Sequence, residues 1–235
     1  MDIDKAKKEA GIAAVQFVES GMRVGLGTGS TVKHTVIEIG RAIREDGLDV
    51  VGVPTSIQTE SLAIEHGIPL SNVTQLGGLD LVIDGADEFD PNFQLIKGGG
   101  AALLREKIVA QASKRMIVVA DVRKQVQQLG AFPLPIEITP FEWQDTLKRI
   151  STICGVPATL REVEENDDFS PLVTDNGNWI VDAGVGTPFI DDPSLIESKL
   201  LHLAGVVEVG LFIDMCDTVV LAGQTGVEIL HRSDN

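Results

Sequence analysis

The first half of the chain alternates between two hydrophobic periods. Ala6, Ala10, Ala13, Ala14, Phe17 and Val18 recur at helical spacing until Gly21 ends the run. Met22-Arg23-Val24-Gly25-Leu26 then reads as a strand, and Val32, Val36, Ile39 and Ile43 mark the inward face of a second helix. Short apolar, partly β-branched runs at 50–53, 79–83 and 116–120 predict three more strands, with helices over about 56–65 and 101–112. Strands that alternate with helices favour βαβ units and a parallel sheet covered on both faces. On the 101–112 helix, Leu104 and Ile108 are expected to share the packed face. Glu106 then lies roughly 200° around from Leu104 at ~100° per residue, turned away from that face.

The pattern changes over 125–132, where polar residues lead into Phe132-Pro133-Leu134-Pro135-Ile136-Glu137-Ile138-Thr139-Pro140. Proline cannot donate to a ladder, so this strand is expected away from a sheet centre, and a domain boundary is placed there. Beyond it the patterns predict a helix at about 141–153, strands at 158–163 and 179–182, and a helix at 193–203. Glu162, Glu164, Glu165, Asp167 and Asp168 read as a solvated loop. Apolar strands return at 206–213 and 218–221, the last able to rejoin the first sheet. The predicted fold class is α/β: a Rossmann-like, mainly parallel sheet with helices on both faces, plus a smaller α+β (ferredoxin-like) domain. Residues 1–130 and about 206–235 are assigned to the first domain and 131–205 to the second.

Composition narrows the functional class. The chain has 235 residues, 43% of them hydrophobic, which is enough for a proper core. It has neither a membrane-length apolar stretch nor the layout of a signal peptide at its start, so a cytoplasmic protein is expected. With 35 acids against 19 bases, a formal charge of −16 leaves no basic stripe for nucleic acid and disfavours an anionic membrane. Cys154 and Cys216 lack metal-like or CxxC spacing, and His34, His66, His202 and His231 lack ligand spacing. The cysteines and histidines therefore offer no metal site.

Two segments carry chemistry. Gly25-Leu26-Gly27-Thr28-Gly29-Ser30-Thr31 follows a strand and opens a helix, where backbone amides and hydroxyls make a natural anion site. It matches neither GxGxxG nor the GxxxxGK[ST] loop, and a tight turn capped by Ser30 or Thr31 would explain it equally. The second segment runs from Asp84 to Lys107. Asp84 falls at the carboxyl end of a buried strand, the usual ligand position in open α/β sheets. Asp84, Asp87 and Glu88 suit acid–base work, a divalent metal, or aspartates that merely cap turns. Lys97 and Gly98-Gly99-Gly100 bring an ammonium and three unobstructed amides to a helix start, a better anion signal than the first.

These motifs together resemble ribose-5-phosphate isomerase of the type A family over nearly the whole chain. The resemblance rests on GLGTGST at 25–31, Pro54-Thr55-Ser56, DGADE at 84–88, KGGGAALLREK at 97–107, Phe132-Pro133-Leu134-Pro135, Thr174-Asp175-Asn176-Gly177-Asn178 and Gly205-Val206-Val207-Glu208. It implies interconversion of D-ribose 5-phosphate and D-ribulose 5-phosphate without metal or organic cofactor, in a homodimer or homotetramer. It implies Glu106 as the base that moves a proton through an enediolate, with Asp84 assisting ring opening and Lys97 and the glycine amides meeting negative charge. Substrate contacts are implied for Thr28, Gly29, Ser30, Thr31, Asp84, Gly85, Ala86, Asp87, Lys97, Gly98, Gly99, Gly100 and Lys124, and for Lys7 at the phosphate.

The chain departs from the family pattern at four places. Ala101 stands where a fourth glycine is usual, and it is tolerable if its φ is negative, as expected at a helix start, but intolerable if the position needs a positive φ. Arg123 replaces the serine of Asp-x-Ser-Lys, Val209 an asparagine and Ala204 a proline. Two other function classes stay open. A sugar-phosphate-sensing regulator should carry a DNA-binding module and a basic face, which this sequence does not display. A related sugar-phosphate deaminase or CoA transferase would betray itself by ammonia release or CoA dependence.

Overall fold

A computed structural model describes residues 2–165, 168–184, 186 and 188–232. In chain order its elements are α1 (Ile3–Ala13), β1 (Arg23–Leu26), α2 (Val32–Asp46), β2 (Val51–Pro54), α3 (Ile57–Glu65), α4 (Val73–Leu76) and β3 (Leu81–Gly85). Then come β4 (Glu88–Phe89), β5 (Leu95–Ile96), α5 (Leu103–Gln111), β6 (Met116–Asp121), β7 (Leu134–Ile138), α6 (Trp143–Cys154), β8 (Ala158–Leu160) and β9 (Glu162–Glu165). The chain closes with β10 (Asp168–Pro171), β11 (Trp179–Ala183), α7 (Pro193–Leu201), β12 (Val206–Val209), β13 (Leu211–Phe212), β14 (Thr218–Gly223) and β15 (Gly226–His231). No helix among the described residues is long and apolar enough to cross a membrane.

The chain forms two compact units, one of 1–86, 105–125 and 214–235, the other of 87–104 and 126–213. The division differs from the expected one at both ends. Residues 87–104 belong to the second unit because β5 pairs with β13, and 206–213 belong there because β12 pairs with β7. A break in hydrophobic period cannot reveal such pairings, which join segments far apart in sequence.

The first unit is α/β. Its sheet runs β15-β14-β6-β3-β1-β2, with every pairing parallel except β14 with β15. The order reverses at β1, which lies between β2 and β3, so the carboxyl ends of β1 and β3 flank a topological switch point. Ala6, Ala10 and Ala14 join Val32, Val36 and Ile39 of α2 and Val24, Leu26, Leu81 and Ile83 of the sheet in one core. Small alanines suit a helix that must lie close to its neighbours, and Gly11 packs so near Thr31 and His34 that a side chain there would clash. The first helix ends earlier than its periodicity suggests, with Ala14–Phe17 tightening into a 3-10 turn.

The second unit holds an antiparallel sheet in the order β12-β7-β11-β8 and a small sheet β13-β5-β4. Here the expectation for the proline-rich strand fails, because β7 pairs on both sides, with β11 and with β12. Pro135 is tolerated because it stands just beyond the end of the β12 ladder at Val209 and Ile136, where only its carbonyl is used, accepting from the Gly210 amide at 2.8 Å. Leu134, Ile136 and Ile138 are wholly buried with Val181, Ala183 and Leu200. The acidic run is likewise not simply a loop: β9 and β10 pair antiparallel, with Glu162, Glu164 and Asp168 exposed, and Asp167 lies outside the described residues.

Candidate active site

In the first unit, β1 and β3 bring the glycine loop to Asp84. The Asp84 side chain is completely buried, and its Oδ1 accepts from the Thr28 amide at 3.0 Å and from the Gly85 amide at 2.7 Å. Gly27 is required by this approach, since any Cβ there would run into the Asp84 carboxyl group. Two backbone amides on one carboxylate oxygen fix its orientation, so Asp84 is held as an oriented acceptor at the switch point.

The Pro54-Thr55-Ser56 motif finds its purpose here. Thr28 Oγ1 donates to Ser56 Oγ at 2.8 Å, Ser56 Oγ to Thr59 Oγ1 at 3.0 Å, and Thr59 Oγ1 to the Gly27 carbonyl at 2.9 Å. Thr55 Oγ1 lies 2.7 Å from Thr28 Oγ1 and donates to the Leu26 carbonyl. A closed ring of buried hydroxyls therefore fixes the loop's entry, because each would lose more by being left unsatisfied than it gains by moving. Thr59 was not a sequence candidate, although it stands three residues beyond Ser56 and also receives that residue's capping interaction.

Beyond Thr28 the loop opens outward. Gly29, with φ of 121°, and Ser30 are exposed, and Thr31 takes the N-cap position of α2 without a side-chain capping bond. The turn-capping explanation for these hydroxyls is thus not the one the structure adopts. Amides of the first helical turn lack partners within the helix, which suits an anion. A cleft of about 430 Å³ is lined by Gly27, Gly29, Ser30, Lys33 and Thr59. Lys7 lies on α1, half-buried. Burial first, then the charges of Lys33, Lys8 and Lys7, holds the His34 imidazolium below its ordinary value despite Asp4. The chain's acidity conceals this local cationic patch, and Lys33 and Lys8 were not among the sequence candidates.

Glu106 lies on α5, where the structure overturns the expected packing. Ile108 is 51% exposed, whereas Leu103, Glu106, Lys107 and Ala110 are buried at positions i, i+3, i+4 and i+7. The inward stripe therefore carries a carboxylate and an ammonium, which a search for apolar periodicity passes over. Glu106 is only 4% exposed. Lys124 is half-buried in a 3-10 turn entered from Asp121, whose carboxylate caps the Arg123 amide and pairs with the Arg123 guanidinium at 2.7 Å. The Arg123 guanidinium foremost holds the Asp121 carboxyl below the usual range, so arginine in place of serine adds an ion pair to the turn.

The second unit presents Asp87, Lys97 and the three glycines. Asp87 Oδ2 accepts from the Gly99 amide at 2.7 Å, an approach so close that a Cβ on residue 99 would displace that carboxylate. Lys97 is 2% exposed; its amide donates to the Gly210 carbonyl and its Nζ lies 5.4 Å from the centroid of the Phe212 ring. Gly98 is buried with φ of 106°, while Gly99 and Gly100 are exposed. Glu88 is structural here, its carboxylate accepting from the amides of Gly130 and Phe132. Gly85 and Ala86 are half-buried on the strand end between Asp84 and Asp87.

Ala101 does not have the expected negative φ. Its φ is 58°, and α5 begins only at Leu103. The Ala101 amide donates to the Gly98 carbonyl at 2.9 Å, so the residue closes a turn rather than opening the helix. For a residue with a Cβ that conformation costs roughly 1–2 kcal/mol. Ala101→Gly is therefore expected to stabilise the protein by about 1 kcal/mol and raise Tm by about 2–4 °C. A thermal melt checks this, and an unchanged or lower Tm would contradict the strained turn.

Among the described residues no group of three or more His, Cys, Asp or Glu side chains is arranged to hold a metal ion. A family model described as ribose 5-phosphate isomerase A (phosphoriboisomerase A) matches residues 51–226. The chain belongs to that family. It is 52% identical over 238 aligned positions to ribose-5-phosphate isomerase A of Cereibacter sphaeroides, spanning 99% of this chain and 94% of that relative. The Nitrobacter hamburgensis member is 49% identical, spanning 99% and 100%. Among solved structures, a D-ribose-5-phosphate isomerase in complex with phospho-erythronic acid superposes with a TM-score of 0.92 at 42% identity, covering 99% of this chain and all of the other. The Methanocaldococcus jannaschii ribose 5-phosphate isomerase A gives 0.89 at 36% identity, over 97% and 98%.

Proposed function

We propose that this protein interconverts D-ribose 5-phosphate and D-ribulose 5-phosphate, with Glu106 moving the proton between C2 and C1 through an enediolate. Family membership over nearly the full chain supports the reaction, and the inward placement of the Glu106 carboxylate carries the assignment of the base. Proton transfer by one carboxylate supplies roughly 10²–10⁴-fold, so the enediolate oxygen needs its own stabilisation. Lys97 and the exposed Gly100 amide are assigned that task, the Gly99 amide being already given to Asp87. Asp84, oriented by two backbone amides, assists opening of the sugar ring, and Asp87 and Thr28 contribute substrate contacts.

The phosphate is assigned to Gly29, Ser30, Thr31 and the start of α2, with Lys7 and Lys124 as cationic contacts. The cationic patch around His34 supports Lys7. The relative solved with a phosphorylated sugar acid is consistent with an anionic sugar phosphate as the ligand class. No metal or organic cofactor takes part, and the protein works as a cytoplasmic homodimer or homotetramer. A coupled assay with ribose 5-phosphate in the presence of chelator tests the reading. Activity is expected to survive chelation; its loss would overturn metal-free catalysis, and ammonia release or CoA dependence would favour a different reaction on this scaffold.

A further inference from the structure

We infer that Arg161, held by Asp182, is a positioning residue for this reaction: it sets the direction in which the glycine loop presents its amides. The inference rests on the function proposed above. Arg161 lies between β8 and β9, and its own backbone is fixed on both sides, the amide donating to the Ile180 carbonyl at 2.8 Å and the carbonyl accepting from Leu172 at 2.9 Å. Its guanidinium forks onto Asp182, Nε to Oδ2 at 2.8 Å and Nη2 to Oδ1 at 2.6 Å, with both side chains 16% exposed. The remaining nitrogen, Nη1, donates to the Gly98 carbonyl at 2.9 Å and the Gly99 carbonyl at 3.1 Å.

Peptide geometry turns those two bonds into a constraint on the opposite face of the loop. In a trans peptide the C=O and the following N–H point in opposite directions. Drawing the Gly98 carbonyl toward Arg161 therefore aims the Gly99 amide away from it, and that amide is the one Asp87 accepts. Drawing the Gly99 carbonyl to the same nitrogen aims the Gly100 amide away as well. Three glycines in succession have no preference of their own for this arrangement, since each can visit positive and negative φ alike. Without an external clamp the loop would spend entropy on every turnover to find it.

Arginine suits the position for a reason lysine does not share. Its planar fork spends two donors on Asp182 and still directs a third at two adjacent carbonyls, whereas a single ammonium cannot hold both partners in one geometry. The fixed cation behind the peptide dipoles also strengthens the amides on the far side as donors. Asp182 sits on β11, so the clamp is anchored in the interior of the antiparallel sheet and not on the loop it controls.

The test uses the full chain, four variants of the clamp and Glu106→Gln as a control. Arg161→Met is expected to lower kcat by roughly 10–10²-fold with KM within about threefold, because the loss falls on transition-state amides. Arg161→Lys should recover only part of it, and free guanidinium ion at sub-denaturing concentration should raise kcat of Arg161→Ala without affecting Glu106→Gln. Asp182→Asn, which keeps shape and volume, gives the same effect in weaker form and keeps the idea testable if the arginine variants fold poorly. Parent-like kcat in Arg161→Met or in Asp182→Asn overturns the inference, as does a purely KM effect. Amide hydrogen exchange over residues 97–101 supplies a readout independent of activity and should accelerate in Arg161→Met and Asp182→Asn; unchanged exchange overturns the clamp. If the parent itself fails to isomerise ribose 5-phosphate, the proposed function falls, while the exchange measurement still decides whether Arg161 orders the loop.

Discussion

Replacing Glu106 by glutamine lowers kcat for ribose 5-phosphate by about 10²–10⁴-fold, with KM changing by no more than a few fold. Glutamine keeps the length, planarity and hydrogen-bonding shape of the side chain, and only the ability to take up a proton disappears. Glu106 is 4% exposed and glutamine fills the same volume, so the variant is expected to melt cooperatively. That separates loss of chemistry from loss of fold. In deuterated water the parent should exchange the transferred hydrogen with solvent, and Glu106→Gln should lose exchange and isomerisation together. Near-parent turnover would remove Glu106 from the role of base.

Lys97→Met should lower kcat/KM by about 10²–10³-fold, the scale on which a single oxyanion partner acts. Methionine fills a similar volume beside Phe212 and leaves the backbone bond from residue 97 to the Gly210 carbonyl intact, so the change removes chiefly the charge. The loss is expected mainly in kcat, since the enediolate carries negative charge that the substrate carbonyl does not. If KM rises and kcat stays at the parent value, Lys97 holds the ground-state substrate, and stabilisation of the intermediate must be assigned to the Gly100 amide alone. A cooperative melt close to the parent's is the necessary control.

Both predictions concern residues whose place along the chain was readable and whose surroundings were not. Glu106 was expected to turn away from a face built on Leu104 and Ile108, yet the buried stripe is Leu103, Glu106, Lys107 and Ala110. Hydrophobic periodicity assumes that what faces inward is apolar, and a functional helix breaks that assumption at the positions that matter. Ala101 was expected to sit at a helix start with negative φ; the chain instead closes a turn at that residue, and the sign of φ is set by the folded backbone. The proline-punctuated segment around Pro135 was expected at an edge, but a strand can be interior when its proline stands past the end of a neighbour's ladder.

The sequence by itself determined the alternation of strands and helices in the first unit, the placement of Asp84 at a strand end, and the family through the order of its motifs. Each depends on local spacing, which a linear chain records. Tertiary structure alone decided which carboxylates are oriented by backbone amides, that a ring of hydroxyls from Thr28, Ser56 and Thr59 secures the first loop, and that Arg161 and Asp182 grip the second. Arg161 lies more than sixty positions from the glycines it holds, with separations of 63 and 62 residues. Its contact depends on the register between β8 and β11 and on the pairing of β5 with β13, and no local pattern in a single sequence encodes either.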